Sequence, residues 1–215
     1  MAAATRFFMS TRRGVLTLAS GGCARYAFST DVTYCLDRRG HPLILYASGN
    51  PHHHLIMTNS SVELRLIYQL DRDGQEEQIM LLIGMLRMVD PGDHDSLDRH
   101  ARYFGQPIEN YTRGNNRLYR LEPEHVLIEH ISGARTPLPL HDVVRRNMLK
   151  KSAEMEAIRK AQLHVPAQIL GVDALGMDGH DGRRMVRWHF TRPLTAGSDM
   201  NERLHEIGEA DAVIS

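Results

Sequence analysis

Between residues 61 and 70, Val62, Leu64, Leu66 and Tyr68 alternate with Glu63, Arg65, Ile67 and Gln69. A period of two is the mark of a strand with one face in a core. Asp71-Arg72-Asp73-Gly74 then supplies the polar and glycine residues of a hairpin, and Gln78 to Met88 reads as a long apolar return strand. Upstream, Gly14 to Ser20 and Tyr26 to Leu36 are strand candidates, Asp37 to Pro42 is a turn, and Leu43 to Ala47 is a short, wholly apolar strand. Thr5 to Arg13 reads as a short leading helix.

Asp90-Pro91-Gly92-Asp93 breaks the sheet, and the period changes to that of a helix over His94 to Phe104, with Leu97, Ala101 and Phe104 on one side. Two further strands, Arg117 to Leu121 and His125 to Ile131, are predicted around a Glu122-Pro123-Glu124 turn. Many short strands and one intervening helix describe a closed β-barrel better than a βαβ sheet. After Pro139 the pattern changes again. Asp142 to Leu163 carries Val144, Met148, Met155 and Ile158 at near-helical spacing, supported by the i,i+4 pairs Lys150/Glu154 and Glu156/Lys160. Ala167 to Leu175 and Arg183 to Phe190 read as a strand pair around Met177 to Gly182, and Ser198 caps a last helix with Met200, Leu204 and Ile207 inward. The expected plan is a barrel domain over residues 1–139 and, over 140–215, a linker helix with a small α/β module.

Composition narrows the function classes. The 215 residues include 26 Lys+Arg and 26 Asp+Glu, so no general charge favours nucleic acid or an anionic membrane. No apolar run approaches the roughly 20 residues of a spanning helix. The first thirty residues hold Arg6, Arg12, Arg13 and Arg25 and no acid, the composition of an organellar transit peptide. Val15 to Leu18 already read as the first strand, however, so the segment is taken as part of the fold and the expected location is cytoplasmic. Cys23 and Cys35 are too few for a metal site and are expected as buried, reduced thiols. There is no glycine-rich phosphate loop, nucleophile elbow or zinc-type cysteine pattern.

Several segments in order resemble the pyridoxamine 5′-phosphate oxidase-like split β-barrels, and in particular their haem-utilisation (HugZ-type) branch. RLYRLEPEHVLIEHISGA, from Arg117 to Ala134, is similar to that branch's last barrel strands with their Leu-Glu-Pro turn. GMLRMVDP followed by DRHARYFGQP resembles its strand, break and Arg-Tyr helix, and YCLDRRGHPLILYASGNPHHHL its Asp-x-x-Gly-x-Pro turn, apolar strand and histidine loop. VDALGMDGHDGRRMVRWHFTRPLT looks like the small module that follows the barrel. The resemblance implies an α+β fold: a six- to seven-stranded antiparallel, Greek-key split β-barrel with a C-terminal α/β appendage. It also implies a homodimer with two pockets at the subunit interface, holding FMN in some relatives and haem, in some cases cleaved, in others.

Three functions follow as expectations: a haem-binding and haem-degrading protein, an FMN-dependent oxidoreductase, and a non-catalytic barrel that binds a protein partner. Flavin-binding relatives offer Arg or Lys to the FMN phosphate from the loop after the third strand. Here residues 48–62 contain no Arg, Lys, Asp or Glu, and Leu55 stands where a basic residue is expected. Neutral donors such as Ser48 remain, with about half the strength per hydrogen bond of an ionised donor. Within His52-His53-His54, neighbouring side chains of an extended chain face opposite ways. His53, which falls on the family's loop histidine, is the candidate ligand contact, and the other two are expected in solvent. His125 and His130 face opposite sides of their strand. A haem site requires an axial ligand, an apolar slot and cations for the carboxylates. His141 and His164, bracketing the linker helix, are the axial candidates, although HDVVRRNMLKK departs from the family's His- and Asp-rich start of that segment. Arg117, Arg120, Arg145 and Arg146, with Lys150 and Lys151, are the candidate partners of carboxylate or phosphate.

Overall fold

A computed structural model describes residues 2–18, 28–47, 49, 53, 56, 61–69, 77–112, 116–130, 132–145, 148–194, 200–205 and 211–212. Helix α1 (Ala2–Ser10) leads into strands β1 (Arg13–Leu18), β2 (Phe28–Leu36), β3 (Pro42–Ala47), β4 (Ser61–Gln69) and β5 (Glu77–Met88). Helices α2 (His94–Phe104) and α3 (Glu109–Thr112) precede β6 (Asn116–Glu129) and β7 (Arg135–Leu138). The antiparallel order β3-β2-β1-β4-β5-β6 closes on itself through a β3–β6 pairing, and β7 adds outside the ring. The expected barrel is therefore present, with six strands in the ring and a seventh on its edge. Among the described residues no helix is long and apolar enough to cross a membrane.

Alternation places Leu16, Leu18, Tyr34, Leu64, Leu66 and Leu82 inside the ring, and α1 lays Phe7, Phe8 and Met9 into the same cluster where β1 begins. Each fully buried side chain of this size contributes about 1.5–3 kcal/mol of transfer free energy. A second cluster lies outside the barrel wall, where Cys35, Leu43 and Leu118 meet Leu97 and Tyr103 of α2. Helix α2 has the boundaries the pattern predicts. Asp93 caps it by accepting from the Ser96 backbone N–H at 3.2 Å, and Gly105 ends it in the left-handed conformation at φ 61°.

Three expectations are corrected. Glu122-Pro123-Glu124 is not a turn: β6 runs through it for 14 residues. Ile83 faces His125 and Gly84 faces Pro123, which leaves Glu124 as the extra residue of a bulge. Proline has no N–H for the ladder and is tolerated at such a site. Beyond the bulge β6 changes neighbours, from β3 at Asn116–Arg120 to β7 at Val126–Glu129.

The expected helix over 142–163 is two pieces, a π-helical turn at His141–Arg145 and α4 (Lys151–His164). Val143 and Val144 are buried in the barrel cluster, whereas α4 buries Ala157 and Ala161 in a third cluster. One straight helix does not serve two separate cores, and Met155, expected inward, is 43% exposed.

The third correction concerns the appendage. Met177 to His180 is not a turn but part of β9 (Gly176–His180), between β8 (Gln168–Val172) and β10 (Met185–His189). With β11 (Asp211–Ala212) these form a four-stranded sheet against α4 and α5 (Met200–His205). Met200 is buried and Leu204 packs against the same cluster. Ser198 and Ile207 lie outside the described residues. Cys35 is buried and free, as expected, and Cys23 lies outside the described residues.

Candidate functional site

The seam between β2 and β3 forms the site. The two strands pair at only three positions, Tyr34 with Ile44, Cys35 with Leu43 and Leu36 with Pro42. Beyond them Phe28 to Thr33 pair with β1, while Leu45, Tyr46 and Ala47 pair with β6. The ring parts there. The resulting cleft has a volume of about 520 Å³ and is lined by Arg13, Thr30 to Thr33 and Leu45 to Ala47, within the range of small-molecule sites. Val32 and Tyr46 belong both to this lining and to the barrel's interior cluster. The cleft is thus the open flank of the core.

Tyr46 also connects the cleft to His53. Their rings stack with centroids 6.2 Å apart, and His53 Nε2 is 2.8 Å from the Tyr119 hydroxyl. Ile44 faces Tyr119 in the β3–β6 register, so Tyr46, two residues on, shares the inner face with it. The Tyr46 hydroxyl is buried without a hydrogen-bond partner, and burial raises its pKa above the ordinary phenol value.

The remaining sequence candidates fall elsewhere. Arg120 on β6 donates to Asp37 at 2.7 Å and to Asp93 at 2.6 Å, joining the Asp37–His41 turn to the cap of α2. Gly40 completes that turn at φ +78°, where a Cβ would lie 1.8 Å from the Val144 carbonyl oxygen. Arg117 is half-buried opposite Tyr46 and donates to the Asn116 carbonyl. His141 is 74% exposed beside Asp142, and His164 is exposed at the end of α4; neither lines the cleft. Lys150 and Lys151 are exposed, the latter 3.2 Å from Asp95. Ser48, His52, His54, Leu55, Arg146 and the Arg145 side chain lie outside the described residues. Among the described residues no three His, Cys, Asp or Glu side chains converge as a metal site.

Arg13, Tyr46 and Tyr119 are site residues that the pattern did not single out. Arg13 is the first outward position of β1, a signal available from alternation once the strand's start is known. Two buried charge clusters also went unread. Arg12 and Arg187 enclose Asp178, with Asp173 on the far side of Arg187. Glu154, on α4, accepts from Arg38 and Arg99, with Arg102 at 3.6 Å. Asp178, within a Met-Asp-Gly-His-Asp-Gly run, has the look of a turn residue and gives no sign of burial.

No protein-family model matches the chain, and no curated protein matches it. Solved structures do. A protein of unknown function from Agrobacterium tumefaciens, Atu2129, superposes with a TM-score of 0.65 at 18% identity over 95% of this chain and 93% of its own. This chain has the split β-barrel fold. The match extends through the appended α/β unit, since so little of either chain is left out. A heme binding protein from Mycobacterium smegmatis matches the split barrel and its appendage with a TM-score of 0.51 at 15% identity over 95% of both chains. Campylobacter jejuni ChuZ matches at 0.50 and 12% identity over 66% of this chain and 59% of its own. At these identities the likeness is one of fold.

Proposed function

We propose that this split barrel binds haem at the β2–β3 cleft, with oxidative cleavage of the bound haem as its further step. The observation that carries the reading is the contact between Tyr46, a wall of the cleft, and the half-buried His53. It places an imidazole behind the Tyr46 ring, next to a cleft whose wall includes Val32, Leu45 and Ala47 among the polar Thr30, Asp31 and Thr33, and Arg13 lines the same cleft as the cation that a haem carboxylate requires. These residues fit the group. Val32, Leu45 and Ala47 would hold the ring and Arg13 would take a carboxylate, and His53, which does not itself line the cleft, would reach the iron with the Tyr46 ring turned aside. The Tyr119 hydroxyl bonds one nitrogen of His53 and so fixes how the ring is turned, as the partners of ligating histidines commonly do. Haem, when bound, supplies the activation of O₂. The fold shared with the M. smegmatis heme binding protein supports the reading.

FMN is the second choice because residues 48–62 bear no fixed charge for its phosphate. A homodimer, in which a second copy covers the open flank, belongs to the same proposal. The reading is tested by titrating haem into the purified protein and following the Soret band. Saturation with a shifted band is expected, together with an altered band position in His53→Ala. A spectrum that remains that of free haem refutes it.

A further inference from the structure

Among the described residues the cleft has one cation and one carboxylate in its lining, Arg13 and Asp31. In the β1–β2 ladder Arg13 faces Thr33 and Val15 faces Asp31, so Arg13 and Asp31 are diagonal neighbours on one face. Such positions are about 7–8 Å apart. Both side chains are exposed, and no ion pair joins them. Elsewhere in the protein arginine is heavily engaged: Arg12, Arg38, Arg99, Arg120 and Arg187 all hold carboxylates. Arg13 stands at the cleft without such a partner, with a negative charge a short way along the same wall.

We propose that Arg13 and Asp31 select the ligand's charge: Arg13 accepts a single carboxylate, and Asp31 rejects a phosphate monoester. This rests on the haem-binding reading for the identity of the carboxylate ligand, but its charge logic is independent of iron. Haem carries its two negative charges on two separate, flexible carboxylates, so one can face Arg13 while the other turns to water at the open mouth and the ring meets Val32, Leu45 and Ala47. A phosphate monoester carries about −1.5 to −2. Beside Arg13 it keeps a surplus negative charge within reach of Asp31, and like charges at this spacing repel wherever the cleft limits screening by water. The selection therefore lies in a residue pair on β1 and β2, separate from the uncharged loop of residues 48–62.

The test uses the full chain as wild type, Arg13→Gln and Asp31→Asn, titrated with haem, FMN and riboflavin, the last having the same ring without the phosphate. Both residues are exposed on strand faces, so unchanged melting temperatures are expected. Arg13→Gln should weaken haem about five- to tenfold, the effect of losing one charge-assisted contact. Asp31→Asn should strengthen FMN about fivefold and leave riboflavin as it was. Haem affinity unaltered in Arg13→Gln overturns the role of Arg13. An equal gain for riboflavin and FMN, or no gain for FMN, overturns the role of Asp31. If wild type gives no Soret change, the haem reading fails by itself, and the FMN-to-riboflavin comparison still decides the charge selection.

Discussion

Arg12, the residue before the barrel's first strand, donates to Asp178 in the middle of the appended sheet at 2.5 Å, and both side chains are almost wholly buried. Burial alone pushes the Asp178 carboxyl up, but Arg12 and Arg187 outweigh it and hold the group well below the usual carboxylate range. Tyr103 of α2 donates to the same carboxylate at 2.6 Å. Barrel, helix and appendage thus meet at one charge, and the appendage has no complete core charge balance without residue 12.

Arg12→Met is accordingly expected to lower stability by about 3–5 kcal/mol, the usual effect of leaving a buried charge without one of its partners. Because this contact joins the two parts, barrel and appendage should unfold in one transition in the wild type. Chemical denaturation followed by Trp188 fluorescence for the appendage and by far-ultraviolet circular dichroism for the whole chain reads both points. Two separated transitions in wild type would refute the coupling.

His100 makes stability depend on pH. It is buried on α2, shares a hydrogen bond with the Tyr111 hydroxyl at 2.8 Å, and has its pKa pushed down by burial to about 3. The unfolded chain binds a proton near pH 6.5 and the folded chain does not. The contribution of this group is therefore intact above pH 6.5 and is lost as pH falls toward 3. Between pH 7 and 4.5 the loss from one such group is about 2–3 kcal/mol. His41, lowered mainly by burial as well, adds in the same direction. Urea unfolding at the two pH values should show a smaller difference in His100→Gln than in wild type, and an equal difference would remove His100 from the account.

Gly84 faces the bulge that bends β6. A Cβ there would lie 2.1 Å from the Glu122 carbonyl oxygen and 2.7 Å from Pro123 Cα, both backbone atoms with little freedom to yield. Gly84→Ala should cost about 1–3 kcal/mol. A thermal melt that matches wild type would mean that the strand relaxes around the methyl group.

The barrel was legible because β1 to β5 carry their core faces in alternation or in short apolar runs bounded by Gly, Pro and Asp. Helix α2 was legible to the residue because Asp93 and Gly105 mark its ends. The misses have a common physical origin. Pro123 and Asp178 are turn formers by type, yet a bulge accommodates the first and buried arginines neutralise the second. Both compensations come from residues distant in sequence, which local pattern does not register. Val144 and Met155 looked continuous because they fit one helical period, but they serve different surroundings. At the site, His53 was visible as a loop histidine. Arg13 and Tyr46 acquire meaning only when β2 and β3 part, and the strand that shows this is β6, some seventy residues later in the chain.

The central claim, that haem occupies the β2–β3 cleft, is tested most directly by filling the cleft. Ala47 lines it and is exposed at the end of β3, so Ala47→Trp adds bulk where the ligand would lie without disturbing the core. Haem titrated into wild type and Ala47→Trp at equal concentration, followed at the Soret band, should show at least about a tenfold loss of affinity in the variant, as expected when the apolar contact of a ring is displaced, with an unchanged melting temperature. Equal affinity in the two proteins would contradict the account.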